Sequence, residues 1–118
     1  MSADEKPLEA GDVVWIDFGV PVGHEQAGRR PALVVSLASY NEASSLLVVC
    51  PITRNEAPWP FKVSLPPIGR VRGAVVVDQI RAVDPVARHC RRIGAVPPDL
   101  LDEVRRRLSL LAGLESPT

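Results

Sequence analysis

Asp12-Val-Val-Trp-Ile-Asp-Phe18 is the stretch on which the fold turns. Side chains alternate across a strand, so Val13, Trp15 and Asp17 share one face and Val14, Ile16 and Phe18 share the other. Both faces are mostly apolar, which fits a strand of a small closed barrel with a further element packed outside it. Gly11 opens the strand. The loop from Gly19 to Gly28 ends it, being too rich in Gly and too broken by Pro to be regular structure.

Downstream the same kind of signal recurs. Ala32 to Ser36, Leu46 to Ile52, Trp59 to Leu65 and Gly73 to Val83 read as further strands, the last carrying Asp78-Gln79 in an otherwise apolar run. Pro51 cannot donate to a ladder, so its strand must end at an edge, a bulge or a departure from the sheet. Ser36 is placed to N-cap a short helical turn through Asn41, and Asp84-Pro85 supplies an N-cap and first position for another. Arg88 to Val96 is extended and basic. Pro97-Pro98-Asp99 then starts a helix in which Leu100, Leu101, Val104, Leu108, Leu111 and Leu114 fall within one arc at 100° per residue. On that wheel Arg106 points to solvent, while Arg107 lies at the edge of the arc and is free to snorkel over the core or a partner.

Frequent turn signals and a single C-terminal amphipathic helix predict a mainly-β fold, a small barrel of five to seven strands with the helix packed on it. With 118 residues there is room for one domain. Residues 1–10 read as an acidic disordered tail, 11–114 as the domain and 115–118 as a polar tail.

Composition narrows the functional classes. Lys and Arg total 14 and Asp and Glu total 14, so no global cationic field draws in nucleic acid or membrane. The distribution is uneven: residues 1–28 hold six acids and one base, and 12 of the 14 bases are Arg. Arg presents a planar fork suited to phosphate, which leaves room for a local anion site. No apolar run approaches the ~20 residues of a membrane span and the N-terminus is acidic, so a cytoplasmic protein is expected. Cys50 and Cys90 lack CxxC spacing, and Cys50 is expected to be a buried free thiol.

GxxxxGK[ST], HExxH, GxSxG and GxGxxG are all missing, and His24 and His89 have no metal-ligand spacing; no cofactor and no metal are expected. Two polar clusters stand at strand mouths. Gly23-His-Glu-Gln-Ala-Gly-Arg-Arg-Pro31 presents His24, Glu25, Gln26, Arg29 and Arg30; alone it also reads as a solvated hairpin loop. Pro51-Ile-Thr-Arg54 presents the Thr53 hydroxyl and the Arg54 guanidinium; alone it also reads as a turn with Thr53 bonded to its own backbone. Trp59 and Phe61 offer rings for base stacking or for the core. Asp78, read as a buried carboxylate, needs partners and is expected to hold a loop or helix N-terminus in place, with Gln79 beside it.

Together, Gly11 to Phe18, Gly23 to Ser36, Cys50-Pro-Ile-Thr53, Trp59-Pro-Phe61 and Gly73 through Asp78-Gln-Ile-Arg81 resemble, in order and spacing, the MazF/PemK toxins over residues 9–114. The resemblance implies a dimeric SH3-like barrel of the CcdB/PemK type that cuts single-stranded RNA at short sequences without a metal. It assigns the reaction to Arg30 and Thr53, and matches Glu25 and Asp17 to the family's loop Glu and first-strand Asp. The expected site therefore comprises Arg30, Thr53 and Glu25 as catalytic residues. Asp17, His24, Gln26, Arg29, Arg54, Trp59, Phe61, Asp78 and Gln79 are expected to contact RNA. Either Glu25 or His24 takes the proton, because Arg is essentially never deprotonated.

The expected partners are single-stranded RNA, a MazE/PemI-like antitoxin with an acidic tail, and a second copy of the chain. Any DNA association would run only through the antitoxin, and no membrane is involved. Two alternatives stay open: a CcdB-like gyrase-binding poison, against which the polar C-terminus speaks, and an inactive RNA-binding module.

Overall fold

The computed structural model describes residues 6–20, 23, 24 and 28–114. Among them the chain forms strands β1 (Asp12–Asp17), β2 (Arg29–Val34), β3 (Leu47–Thr53), β4 (Lys62–Ile68), β5 (Val71–Val76), β6 (Arg81–Val83) and β7 (Arg91–Ala95). Helix α1 (Ala38–Ser44) follows β2, and helix α2 (Pro98–Leu111) closes the chain. The strands form one antiparallel sheet in the order β4-β5-β3-β2-β1-β7, with β6 paired to the other edge of β3. It curls into a half-barrel whose ends approach each other: a Cβ on Gly94 of β7 would lie 3.0 Å from Ile68 Cγ2 of β4. This is the mainly-β architecture with a C-terminal helix that the periodicity predicts.

The two-residue period of β1, β2 and β3 divides their side chains between two cores. Val13, Leu33, Cys50 and Ile52 enter one cluster with Val75, Leu100 and Val104. Val14, Ile16, Ala32, Val34, Leu47 and Val49 enter the other, closed by Phe18 and Val83. Burying one such side chain contributes about 1.5–3 kcal/mol, so a one-residue slip of any of these strands would be costly on both faces. Leu100 and Val104 are the fully covered part of the α2 stripe; Leu111 and Leu114, predicted on the same arc, are exposed.

Pro51 stays within β3, opposite Ala32 of β2. Opposite β2, the free edge of β3 pairs with β6 at Leu47 to Val49 and with β5 at Ile52 and Thr53, and Pro51 falls in the gap between. The residue that cannot donate thus sits where the ladder changes partner.

Three local expectations are corrected. Ser36 does not cap α1, where Leu37 holds the cap position without a side-chain bond. The Ser36 hydroxyl instead donates to Asn41 Oδ1 and accepts the Val48 N–H at 2.9 Å, tying α1 to β3. Asn41 Nδ2 in turn donates to the Leu8 carbonyl at 2.7 Å, and Leu8 packs on the second cluster, so ordered structure reaches into the segment read as tail. The long strand expected from Gly73 to Val83 is broken by a 3-10 turn, Val77–Gln79, where the chain passes from β5 to β6. Asp84-Pro85 opens a turn over residues 85–89 as expected: the Asp84 carbonyl accepts the Arg88 N–H at 2.9 Å and Asp84 Oδ1 accepts the Val86 N–H at 2.9 Å.

Candidate functional site

The β2–β3 register brings the two polar clusters together. Ala32 lies opposite Pro51 and Leu33 opposite Cys50. Continued two residues, the same antiparallel register places Arg30 across from Thr53, on the same sheet face because 30 and 32, like 51 and 53, are an even step apart. Both residues line a cavity of about 460 Å³. Arg29 and Pro31 of β2, Trp15 of β1 and Arg54 and Asn55 after β3 contribute to its wall, and Arg70 reaches it from the turn between β4 and β5 and Arg72 from β5 itself.

Thr53 is 5% exposed. Its Oγ1 accepts the Asn55 N–H at 3.1 Å, the turn bond expected of a threonine at a strand end. That bond uses an acceptor position and leaves the hydroxyl proton to donate into the cavity. Among the described residues, five Arg and no acidic residue line the space. A second cavity of about 490 Å³ continues from it, sharing Trp15 and Arg29 and adding Arg91, Arg92 and Ile93 of β7. Buried Asp12 holds Arg92 at 3.2 Å while also accepting the Glu9 N–H at 3.0 Å, which fixes one wall of the groove. The array suits a polyanion, since several guanidinium forks stand along one surface.

Of the predicted residues, Arg29, Arg30, Thr53 and Arg54 meet at the cavity. Asp17 stands opposite Arg29 but turns to its own backbone: Oδ1 accepts the Gly19 N–H at 2.8 Å and braces the neck of the β1–β2 loop. His24 is exposed, and its carbonyl accepts a bond from Gln79 Nε2 at 3.4 Å. Glu25 and Gln26 lie outside the described residues. Phe61 packs on the first cluster, whereas Trp59 is 49% exposed and tilts over it with ring centroids 6.0 Å apart. Asp78 is corrected: it is exposed on the 3-10 turn, not buried in a strand, and its Oδ2 accepts the Trp59 indole N–H at 3.0 Å.

Sequence reasoning missed Trp15, Asn55, Arg70 and Arg72. The alternation of Arg70 and Arg72 about Val71 was a usable signal, because it sets two cations on one face beside a buried residue. Nothing local marked Trp15, whose half-burial depends on the curl of the sheet.

Neither thiol is poised for chemistry. Burial, reinforced by the Asp78 charge, pushes the Cys50 thiol up to about 12. Burial also raises Cys90, to about 11, against an opposing pull from Arg29. Among the described residues, no group of three or more His, Cys, Asp or Glu could hold a metal ion, and no helix is long and apolar enough to cross a membrane.

The family described as PemK-like, MazF-like toxin of type II toxin-antitoxin system matches residues 9–112. The endoribonuclease toxin MazF of Escherichia coli K12 is 34% identical over 106 residues, covering 89% of this chain and 94% of that protein. The crystal structure of MazF from Deinococcus radiodurans superposes with a TM-score of 0.85 at 41% identity, covering 92% of this chain and 99% of that one. A MazE-MazF structure from the same organism gives a TM-score of 0.80 at 39% identity, over 92% and 98% of the two chains.

Proposed function

Since the chain belongs to the PemK/MazF family of type II toxin–antitoxin toxins, we propose that it is an endoribonuclease toxin that cleaves single-stranded RNA in the arginine-lined groove. The observation that carries this reading is the convergence of Arg30 and Thr53 in one cavity with four further Arg.

The chemistry follows from what these groups can do. The ribose 2′-hydroxyl loses its proton and attacks the adjacent phosphorus. The bond from phosphorus to the 5′-oxygen breaks, and that oxygen takes up a proton, leaving a 2′,3′-cyclic phosphate and a 5′-hydroxyl. Arg30 forks onto two phosphate oxygens and Thr53 donates a third bond, so the charge that develops on the phosphorane meets preplaced donors. Charge stabilisation by guanidinium and hydroxyl gives the step a metal-independent route. Glu25 or His24 accepts the proton, since Arg30 does not deprotonate. DNA, lacking the 2′-hydroxyl, is not cut.

The same groove suits the acidic tail of a MazE-like antitoxin, which would present carboxylates where RNA presents phosphates. A homodimer is the working assembly, with exposed Leu111 at the end of α2 and Leu114 just after it offering apolar surface to a second copy. The protein acts in the cytoplasm, where its RNA substrate is.

The test is incubation of purified protein with a mixed-sequence single-stranded RNA in EDTA, with mapping of the cut ends. Discrete cuts bearing cyclic phosphate, lost in both Arg30→Ala and Thr53→Ala, are expected. A folded protein that leaves a long RNA intact would overturn the reading and direct attention to gyrase binding.

A further inference from the structure

The 3-10 turn after β5 joins two loops that border the groove. Val77 is anchored: it is fully buried in the first cluster, its N–H donates to the Phe61 carbonyl at 2.7 Å, and α2 packs against the turn. The next two residues reach outward in different directions. Asp78 accepts the Trp59 indole N–H at 3.0 Å, holding the loop that follows Thr53 and carries Arg54 and Asn55 to the cavity. Gln79 donates to the His24 carbonyl at 3.4 Å, holding the β1–β2 loop at that residue.

Each loop has its own supports. Lys62 Nζ donates to the carbonyls of Asn55 at 2.9 Å and Ala57 at 3.0 Å, and Arg107 of α2 donates to the Pro60 carbonyl. At the neck of the other loop, the Phe18 N–H donates to Gly28 at 2.9 Å and the Gly28 N–H to Gly19 at 2.7 Å. Asp78 and Gln79, adjacent on one rigid turn, bond to both loops at once.

We propose that Asp78 and Gln79 are positioning residues, a paired clasp that sets the β1–β2 and β3–β4 loops relative to each other and so governs how tightly the groove holds RNA. The inference rests on the ribonuclease reading for its functional consequence and on the two bonds for its geometry. A displacement of either loop is passed through the turn to the other, because Val77 fixes the turn and leaves it little freedom to absorb the change.

The experiment combines steady-state cleavage of a defined single-stranded RNA with NMR of the same proteins. The Trp59 indole N–H is assigned by its loss in Trp59→Phe. Asp78→Ala and Gln79→Ala are each expected to raise KM about three- to tenfold with kcat within twofold, and the double variant to raise it no further than the larger single change. Each single variant is expected to shift backbone resonances in both loops, and Asp78→Asn, which keeps an acceptor oxygen, to restore KM and the Trp59 signal. Multiplying KM effects, perturbations confined to one loop, or a kcat collapse at unchanged KM would overturn the clasp. If the wild-type protein does not cut RNA, the ribonuclease reading fails, while the resonance shifts still decide whether the two loops are coupled.

Discussion

Gly73 lies so close against Thr53 that a Cβ on it would sit 2.0 Å from the Thr53 carbonyl oxygen and 2.9 Å from its carbonyl carbon. Its φ of +126° is also one that side chains other than hydrogen rarely adopt. β5 can therefore approach the end of β3 only because position 73 has no side chain. Gly73→Ala is expected to destabilise the fold by at least about 2 kcal/mol and to displace Thr53. Thermal unfolding and RNA cleavage check this together; a variant with wild-type Tm and activity would mean that the contact is absent in solution.

Thr53 and Arg30 are expected to act on the chemical step. Arg30→Ala and Thr53→Val should each lower cleavage by ~10²-fold or more, with circular dichroism unchanged. Thr53→Ser keeps the hydroxyl and should retain most activity. Loss of the bond to the Asn55 N–H costs Thr53→Val about 1 kcal/mol of stability, too little to unfold the protein. Near-normal turnover by Thr53→Val would remove the hydroxyl from the mechanism.

Arg70 and Arg72 should act through charge alone. Both are exposed and both line the cavity. In RNA binding measured over a range of salt with the cleavage-deficient Thr53→Val protein, replacing either by Gln should reduce the slope of log K against log salt by about 0.7. A slope equal to that of the parent would place the residue outside the phosphate path.

Glu103 links acidity to helix stability. Hydrogen bonds from Arg106 and then Arg107 hold its carboxyl down to about 2, against an ordinary value of 4.5. Its protons are bound more tightly in the unfolded chain, so the stabilisation is fully present above about 4.5 and is lost as pH falls toward 2. The Tm advantage of wild type over Glu103→Gln should shrink across that window and weaken with salt, because the ion pairs face solvent. A Tm difference constant between neutral pH and pH 2 would contradict the linkage.

Much of the fold was legible because strand and helix periods are written along the chain. Val13 and Val14 do enter different cores, and Leu100 and Val104 do face the sheet. The break at Val77 was not legible: Gly73 to Val83 reads as one apolar run, and only the change of partner from β3–β5 to β3–β6 pairing shows why the strand must stop. Ser36 was similarly ambiguous, since a hydroxyl before a helix caps it only if no better partner lies nearby, and here Val48 and Asn41 are within reach.

By itself the sequence determined which faces are apolar, where the final helix runs, and that Arg30 and Thr53 stand at the mouths of buried strands. Those properties depend on covalent spacing and on side-chain hydrophobicity, both local. The tertiary structure alone decided that the two residues, 23 positions apart, share one cavity, that Trp15, Arg70 and Arg72 join them, and that Asp78 turns to Trp59 instead of the core. Lateral register and sheet curl arise from pairing between distant segments, and one strand's pattern is compatible with many neighbours until all seven are packed against the same two cores.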